Sequence, residues 1–154
     1  MRAPTRDNYS CMFHDILTAL DASDPAQRAF DHAGELAIAL NARLTVISVA
    51  PEVTGSAFRA PVDLNALRRD VERETERLLR DAVDRLPPEL PVTTVMKHGN
   101  AGERIVEQVE EGGHDLLVMG SRGRGRVATN LLGSVAAHVF FHSRVAMLVI
   151  QPDD

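Results

Sequence analysis

DLLVMGSRGRGRVATNLLGS, residues 115–134, decides how this chain folds. Residues 116–119 are an apolar run and read as a strand buried on both faces. The run stops at Gly120. Gly123 and Gly125 follow, interleaved with Arg122, Arg124 and Arg126, and then a helical pattern begins over 129–141. Strand, glycine-rich loop and helix in that order present backbone N–H groups to an anion at a helix N-terminus. A basic surface turn is the plainer alternative. Two other phosphate motifs fail on chemistry. A P-loop needs Lys and then Ser or Thr after its second glycine, and this chain has Arg126 and Val127 there. The run from Gly123 to Ala128 has dinucleotide-fingerprint spacing, but that fingerprint follows a first strand and needs an acid about 20 residues on. Residues 143–147 contain no acid.

Outward from this segment, strands and helices alternate. Residues 15–20 read as a buried strand, and Asp21, Ala22 and Ser23 as a turn. Ser23 is placed to cap the next helix, with Pro25 in its first turn. Ala26, Ala29, Phe30, Ala33, Ala37 and Leu40 recur at helical spacing, and Asn41 is a stop signal. A second strand is expected at 44–50 and a loop at 51–61. The long helix at 63–86 has Leu64, Leu67, Val71, Leu78, Ala82 and Leu86 on one face. Glu76–Arg80 and Asp81–Arg85 are its candidate i,i+4 pairs. Pro87 and Pro88 end it. A third strand follows at 92–97, with Val95, Lys97 and Gly99 toward the rim and no catalytic role for Lys97. Asn100 with Glu103 opens a short helix, Gly112 and Gly113 close it, and a last strand is expected at 145–150. The order β-α-β-α-β-α-β-α-β implies an α/β fold: an open five-stranded parallel sheet with helices on both faces.

Composition bounds the function. The chain has 154 residues, 44% hydrophobic and 25% charged, as expected of one soluble domain. Residues 1–12 read as a flexible tail and 13–152 as the domain. A net charge of −5 argues against a general nucleic-acid surface, and 4% aromatics without Trp argues against base-stacking platforms. No apolar run is long enough to span a membrane. The first residues, MRAPTRDNYSCMF, lack a signal peptide's apolar core, and the single Cys11 suits a reducing compartment. The expected localisation is cytoplasmic. His138 and His142 lie four apart on one helix but have no Glu or Cys beside them, so they read as surface or interface histidines and no metal site is expected.

Gly120, Gly123, Gly133 and Ser134 match G-2x-G-9x-G-[S/T] without a gap. This resembles the ATP-binding branch of the universal stress protein family. The resemblance runs from about residue 13 to 152 and includes DILTALDAS, HGNAGERI and VAMLVIQP. It implies strand order 3-2-1-4-5, which the pattern of elements alone does not select. It also implies ATP, with Mg²⁺ bridging its phosphates. Ligands in such sheets bind at the carboxyl ends of the strands where the order reverses. Asp21, otherwise a turn or capping aspartate, would then bind ribose or the adenine side, beside Ala19, where many relatives have proline. Leu44 and Val46 are candidates for the adenine wall and are equally well explained as core. Gly120, Ser121, Arg122, Gly123, Arg124, Gly133, Ser134 and Val135 would form the phosphate side. Residues 145–150, VAMLVI, would form an edge strand that pairs two copies into a homodimer. The implied role is a stress-response regulator that holds nucleotide, with an unknown protein partner and at most slow hydrolysis or autophosphorylation. No catalytic residue is assigned. The alternatives are a nucleotide-independent interaction scaffold of the same fold, and an enzyme transferring nucleotide in the same crevice.

Overall fold

A computed structural model of the protein describes residues 12–55, 63–122 and 132–152. In chain order, the described elements are β1 (Asp15–Ala19), α1 (Asp24–Leu40), β2 (Arg43–Ala50), α2 (Leu64–Val83), β3 (Val92–His98), α3 (Ala101–Gly112), β4 (Leu116–Gly120), α4 (Ser134–His142) and β5 (Ala146–Ile150). They form one sheet of order β3-β2-β1-β4-β5, parallel throughout. The expected open α/β sheet and its strand order therefore hold. Of the helix expected at 129–141, residues 129–131 lie outside the described residues, as does the tail before Met12.

Alternation along the central strands explains the two layers. Successive strand side chains point to opposite faces. Ile16, Leu44, Val46, Leu116 and Val118 pack with Phe30 and the alanines of α1, and with Leu79 and Ala82 of α2. Leu17, Ile47, Leu117 and Met119 pack on the other face with Ile105 and Val109 of α3 and Val139 of α4. β4 is buried along its whole length, as its unbroken apolar run requires.

The helix ends are written in local chemistry. Ser23 Oγ accepts from Ala26 N at 3.4 Å, and Asn41 closes α1 in the left-handed region at φ 53°. Asn100 Oδ1 accepts from Glu103 N at 3.1 Å, and Gly113 closes α3 at φ 63°. The charges of α2 depart from expectation. Arg85 lies beyond the helix and does not pair with Asp81. Its guanidinium reaches α1 instead, donating to Gln27 Oε1 at 2.8 Å, lying 3.7 Å from Asp31 and sitting over the Phe30 ring. The Glu76–Arg80 pair does not form either. For Arg85, tertiary partners outcompete an i,i+4 contact that is worth only a few tenths of a kcal/mol, roughly 0.2–0.5; nothing in the structure explains the missing Glu76–Arg80 pair.

At the amino end of the sheet, Asp115 accepts from the backbone N–H of His14 at 2.8 Å and of Asp15 at 3.0 Å, tying β1 to β4. Arg43 pairs with Asp15 at 2.7 Å. Beside this knot His114 is half-buried. Burial pushes its imidazole pKa down, against the weaker opposing pull of Asp15 and Asp115. A histidine with a lowered folded-state pKa binds its proton more readily in the unfolded chain. Its contribution is therefore complete above the unfolded value of about 6.5 and declines as pH falls toward the lower folded value. The stability difference between wild type and His114→Gln, read from urea midpoints, should shrink between pH 7.5 and pH 5 (roughly the histidine range). A difference flat across that interval would contradict the assignment.

Candidate functional site

β1 and β4 are neighbours, yet the chain leaves them toward opposite faces of the sheet, into α1 and into the segment before α4. A crevice of about 920 Å³ opens there, at the carboxyl ends of the strands. This is where the topology of open α/β sheets leaves a cleft between diverging connections.

Ala19, Asp21, Gly120, Ser121, Arg122, Gly133, Ser134 and Val135 all line it. Gly123 and Arg124 lie outside the described residues. Leu44 and Val46 do not line it. Both are buried in the core on the α1–α2 face, too far toward the amino end of β2 to reach the opening. Their place is taken by Ile47, Ser48 and Val49, at the end of the same strand. Gly99 at φ 113°, Ala101 and Ile105 close the β3–α3 side. Lys97, near them on β3, is held by Glu111 at 2.6 Å and Glu107 at 3.8 Å, a structural ion-pair cluster.

Asp21 forms the first polar wall. Its Oδ1 accepts from both the backbone N–H and the hydroxyl of Ser23. The turn fixes the carboxylate over the crevice while Oδ2 has no protein partner among the described residues. Capping and ligand binding are thus compatible roles for one side chain. Ser121 is anchored on both backbone sides: its N–H donates to Ile150 O at 2.8 Å, and its carbonyl accepts from Gly133 N at 2.7 Å. The two ends of the 121–133 segment are pinned by that last bond. The Ser121 hydroxyl is buried without a hydrogen-bond partner among the described residues. Gly133 precedes α4 without any side-chain cap. The first amides of α4 therefore open into the crevice at Ser134, Val135 and Ala136, with the positive end of the helix dipole behind them.

Two glycines of the motif lie against main chain. A Cβ on Gly120 would meet the carbonyl carbon of Pro25 at 2.8 Å and Ala26 N at 3.0 Å. A Cβ on Gly133 would meet Ser121 O at 2.8 Å. Neither has a positive φ, since Gly133 sits at −61°. Close approach of backbone to backbone accounts for a glycine at both positions. The two histidines of α4 stack on one another at 4.1 Å, His142 Nδ1 lies 2.8 Å from the carbonyl of His138, and the His138 ring covers Gly102. Among the described residues no group of His, Cys, Asp and Glu converges to hold a metal, and no helix is long and apolar enough to cross a membrane.

A doubly wound α/β domain with a largely apolar crevice at its switch point, set with a few polar groups, defines the structural class. Within that class the match is specific: the model of the universal stress protein family covers residues 12–151, and the chain belongs to that family. A universal stress protein of Thermus aquaticus is 33% identical over 144 residues, spanning 91% of this chain and all of that one. A crystal structure from the same family, from Burkholderia pseudomallei, superposes with TM-score 0.72 at 29% identity, covering 92% of this chain and 98% of that one. A universal stress protein in complex with cAMP superposes with TM-score 0.67 at 27% identity, covering 90% and 97%.

The close contact at Gly120 is directly testable. Gly120→Ala should destabilise the domain by about 1–3 kcal/mol, the cost of forcing a methyl group into a filled position. The clash is with backbone atoms of α1, which cannot rotate away. A urea melt of Gly120→Ala indistinguishable from wild type would refute the contact as described.

Proposed function

We propose that this protein is an ATP-binding, homodimeric regulator of the stress response that acts by holding nucleotide rather than by turnover. The observation that carries the reading is the uncapped N-terminus of α4, open to the crevice across from the Asp21 carboxylate. Free amides and a helix dipole suit phosphate. A carboxylate oxygen without a protein partner suits ribose hydroxyls. The family relative bound to cAMP supports a nucleotide in a fold of this kind. Gly120, Ser121, Arg122, Gly123, Arg124, Gly133, Ser134 and Val135 form the phosphate side in this reading. Ala19 and Asp21 face the nucleoside, with Ile47 and Val49 replacing Leu44 and Val46 as its apolar wall. No protein carboxylate cluster is available for Mg²⁺ among the described residues, so the ion would enter with the triphosphate. No side chain is assigned as a general base. The protein is expected to be cytoplasmic and to bind neither nucleic acid nor membrane.

One observation favours a second reading. Because packing alone explains Gly120 and Gly133, the same glycine spacing suits a nucleotide-independent scaffold. Calorimetric titration with Mg-ATP separates the two. Ser134→Ala should weaken binding by about 0.5–1.5 kcal/mol, the scale of a neutral hydrogen bond, and Asp21→Ala by about 1–3 kcal/mol. Gly133→Asp should abolish binding by placing negative charge at the α4 N-terminus, with some loss of stability from its contact with Ser121. A folded wild-type protein that takes up no Mg-ATP would leave the scaffold.

The dimer rests on β5, the edge strand beyond β4. Ile150 O faces β4, where it accepts from Ser121 N. N–H and C=O of one strand residue point the same way, and the direction alternates along the strand. Met147 and Val149 therefore direct their backbone groups away from the sheet. Leu148 is 37% exposed, and on α4 Phe140 is 62% and Phe141 79% exposed. An open apolar edge is a ready template for a second copy. Met147→Pro removes an outward donor while leaving the β4–β5 ladder intact, and should shift the protein toward monomer in light scattering. A wild-type protein already monomeric at tens of micromolar (about an ordinary assay concentration) would exclude this interface.

A further inference from the structure

The crevice does not stop at the carboxyl edge of the sheet. It continues onto the face opposite α4, between α2 and the start of α1, where Leu20, Ala26, Ser48, Val71, Thr75 and Leu78 line it. The side chains that α2 fully buries, Leu79 and Ala82, both lie near its carboxyl end. Val71 and Leu78 stay only partly covered: Leu78 packs on one side against the core, and both line the crevice. Thr75 spends its hydroxyl on its own helix, donating to Val71 O at 2.8 Å. This lobe is apolar in its walls and charged only at its mouth.

The charged residues lining the crevice are Glu74, Asp81 and Asp21 against Arg77 and Arg122, and three of them, Glu74, Arg77 and Asp81, stand on α2 at this lobe. Glu74, Arg77 and Asp81 have no ion pair or hydrogen bond among the described residues, unlike Arg73, which pairs with Asp70 on the outer face of the same helix. The balance at the opening is negative, and the unsatisfied carboxylates stand beside apolar wall. A ligand complementary to this arrangement carries a positive head on a small apolar body. Its body is removed from water against Val71, Leu78 and Ala26 while its head stays at the exposed carboxylates of Glu74 and Asp81.

We propose that the α1–α2 lobe is a binding site for a small organic cation, a primary ammonium carried on an aromatic or short alkyl group. The ammonium meets Glu74 and Asp81, and the apolar part enters between Leu78 and Ala26. The site lies on the face of the sheet away from the α4 amides and does not depend on the ATP reading.

Naphthylmethylamine and naphthoate carry the same ring with opposite charge, and titrating each into ¹⁵N-labelled protein without nucleotide tests the site. The amine should give saturable shifts at the amides of Ala26, Ser48, Thr75 and Leu78, and naphthoate should bind more weakly. In the Glu74→Gln/Asp81→Asn double variant, whose changes lie on exposed positions, affinity for the amine should fall about threefold to fivefold. That is the scale of one or two exposed ion pairs. Equal binding of amine and acid, shifts that do not saturate or lie elsewhere, or a double variant that binds the amine as well as wild type would each overturn the proposal.

Discussion

The end of β4 runs so close to the first turn of α1 that no side chain fits between them. Gly120 faces the backbone of Pro25 and Ala26 at contact distance, and much of the site geometry depends on that approach. It brings the Asp21 turn and the Ser121 segment to the same opening. It lets α1 lie over both β1 and β4 and bury Phe30 and its alanines against the strands. It also starts the segment after β4 from a fixed point, which the bonds of Ser121 to Ile150 and Gly133 then hold. The crevice is what remains when two connections leave adjacent strands in opposite directions and their first residues are pinned.

The elements were legible because their signals are local. The cap at Ser23, the left-handed stop at Asn41, the Asn100 cap and the Gly113 stop each depend on a few consecutive residues. The unbroken apolar run of β4 marks it as an interior strand. The strand order needed the family resemblance, since alternation of strands and helices is satisfied by several windings. Charge pairing on α2 was misread for a physical reason. Arg85 had a buried aromatic ring and two α1 acceptors within reach, and a partner on another element cannot be inferred from spacing along one helix.

The site was legible in its loops and not in its strands. Asp21, Ser121 and the residues from Gly133 to Val135 follow strand ends or open a helix, places that sequence marks with glycine, serine and aspartate. The wall contributed by β2 carries no such mark. Leu44, Val46, Ile47 and Val49 are interchangeable apolar residues, and only register decides which reach the rim. Pairing of Ala19 with Ile47 sets that register: the residues level with the end of β1, and those beyond it, face the opening. Leu44 and Val46 lie below it. The contribution of α2 was hidden for a similar reason. Val71, Thr75 and Leu78 have the spacing of a core-facing stripe, and whether such a stripe meets a packed neighbour or an open lobe is a tertiary fact.

Glycine at 120 and 133 answers to the meeting of main chains. A descendant of this chain that had lost every use for a ligand would still be obliged to keep both, or else refit the junction of α1 with β4 and the closure of the 121–133 segment. The spacing G-2x-G-9x-G therefore behaves partly as a joint in the frame. Two proteins sharing it share a hinge point of construction before they share a cargo. Among the described residues, that frame leaves three groups at the crevice without a protein partner: the second oxygen of Asp21, the hydroxyl of Ser121 and the first amides of α4.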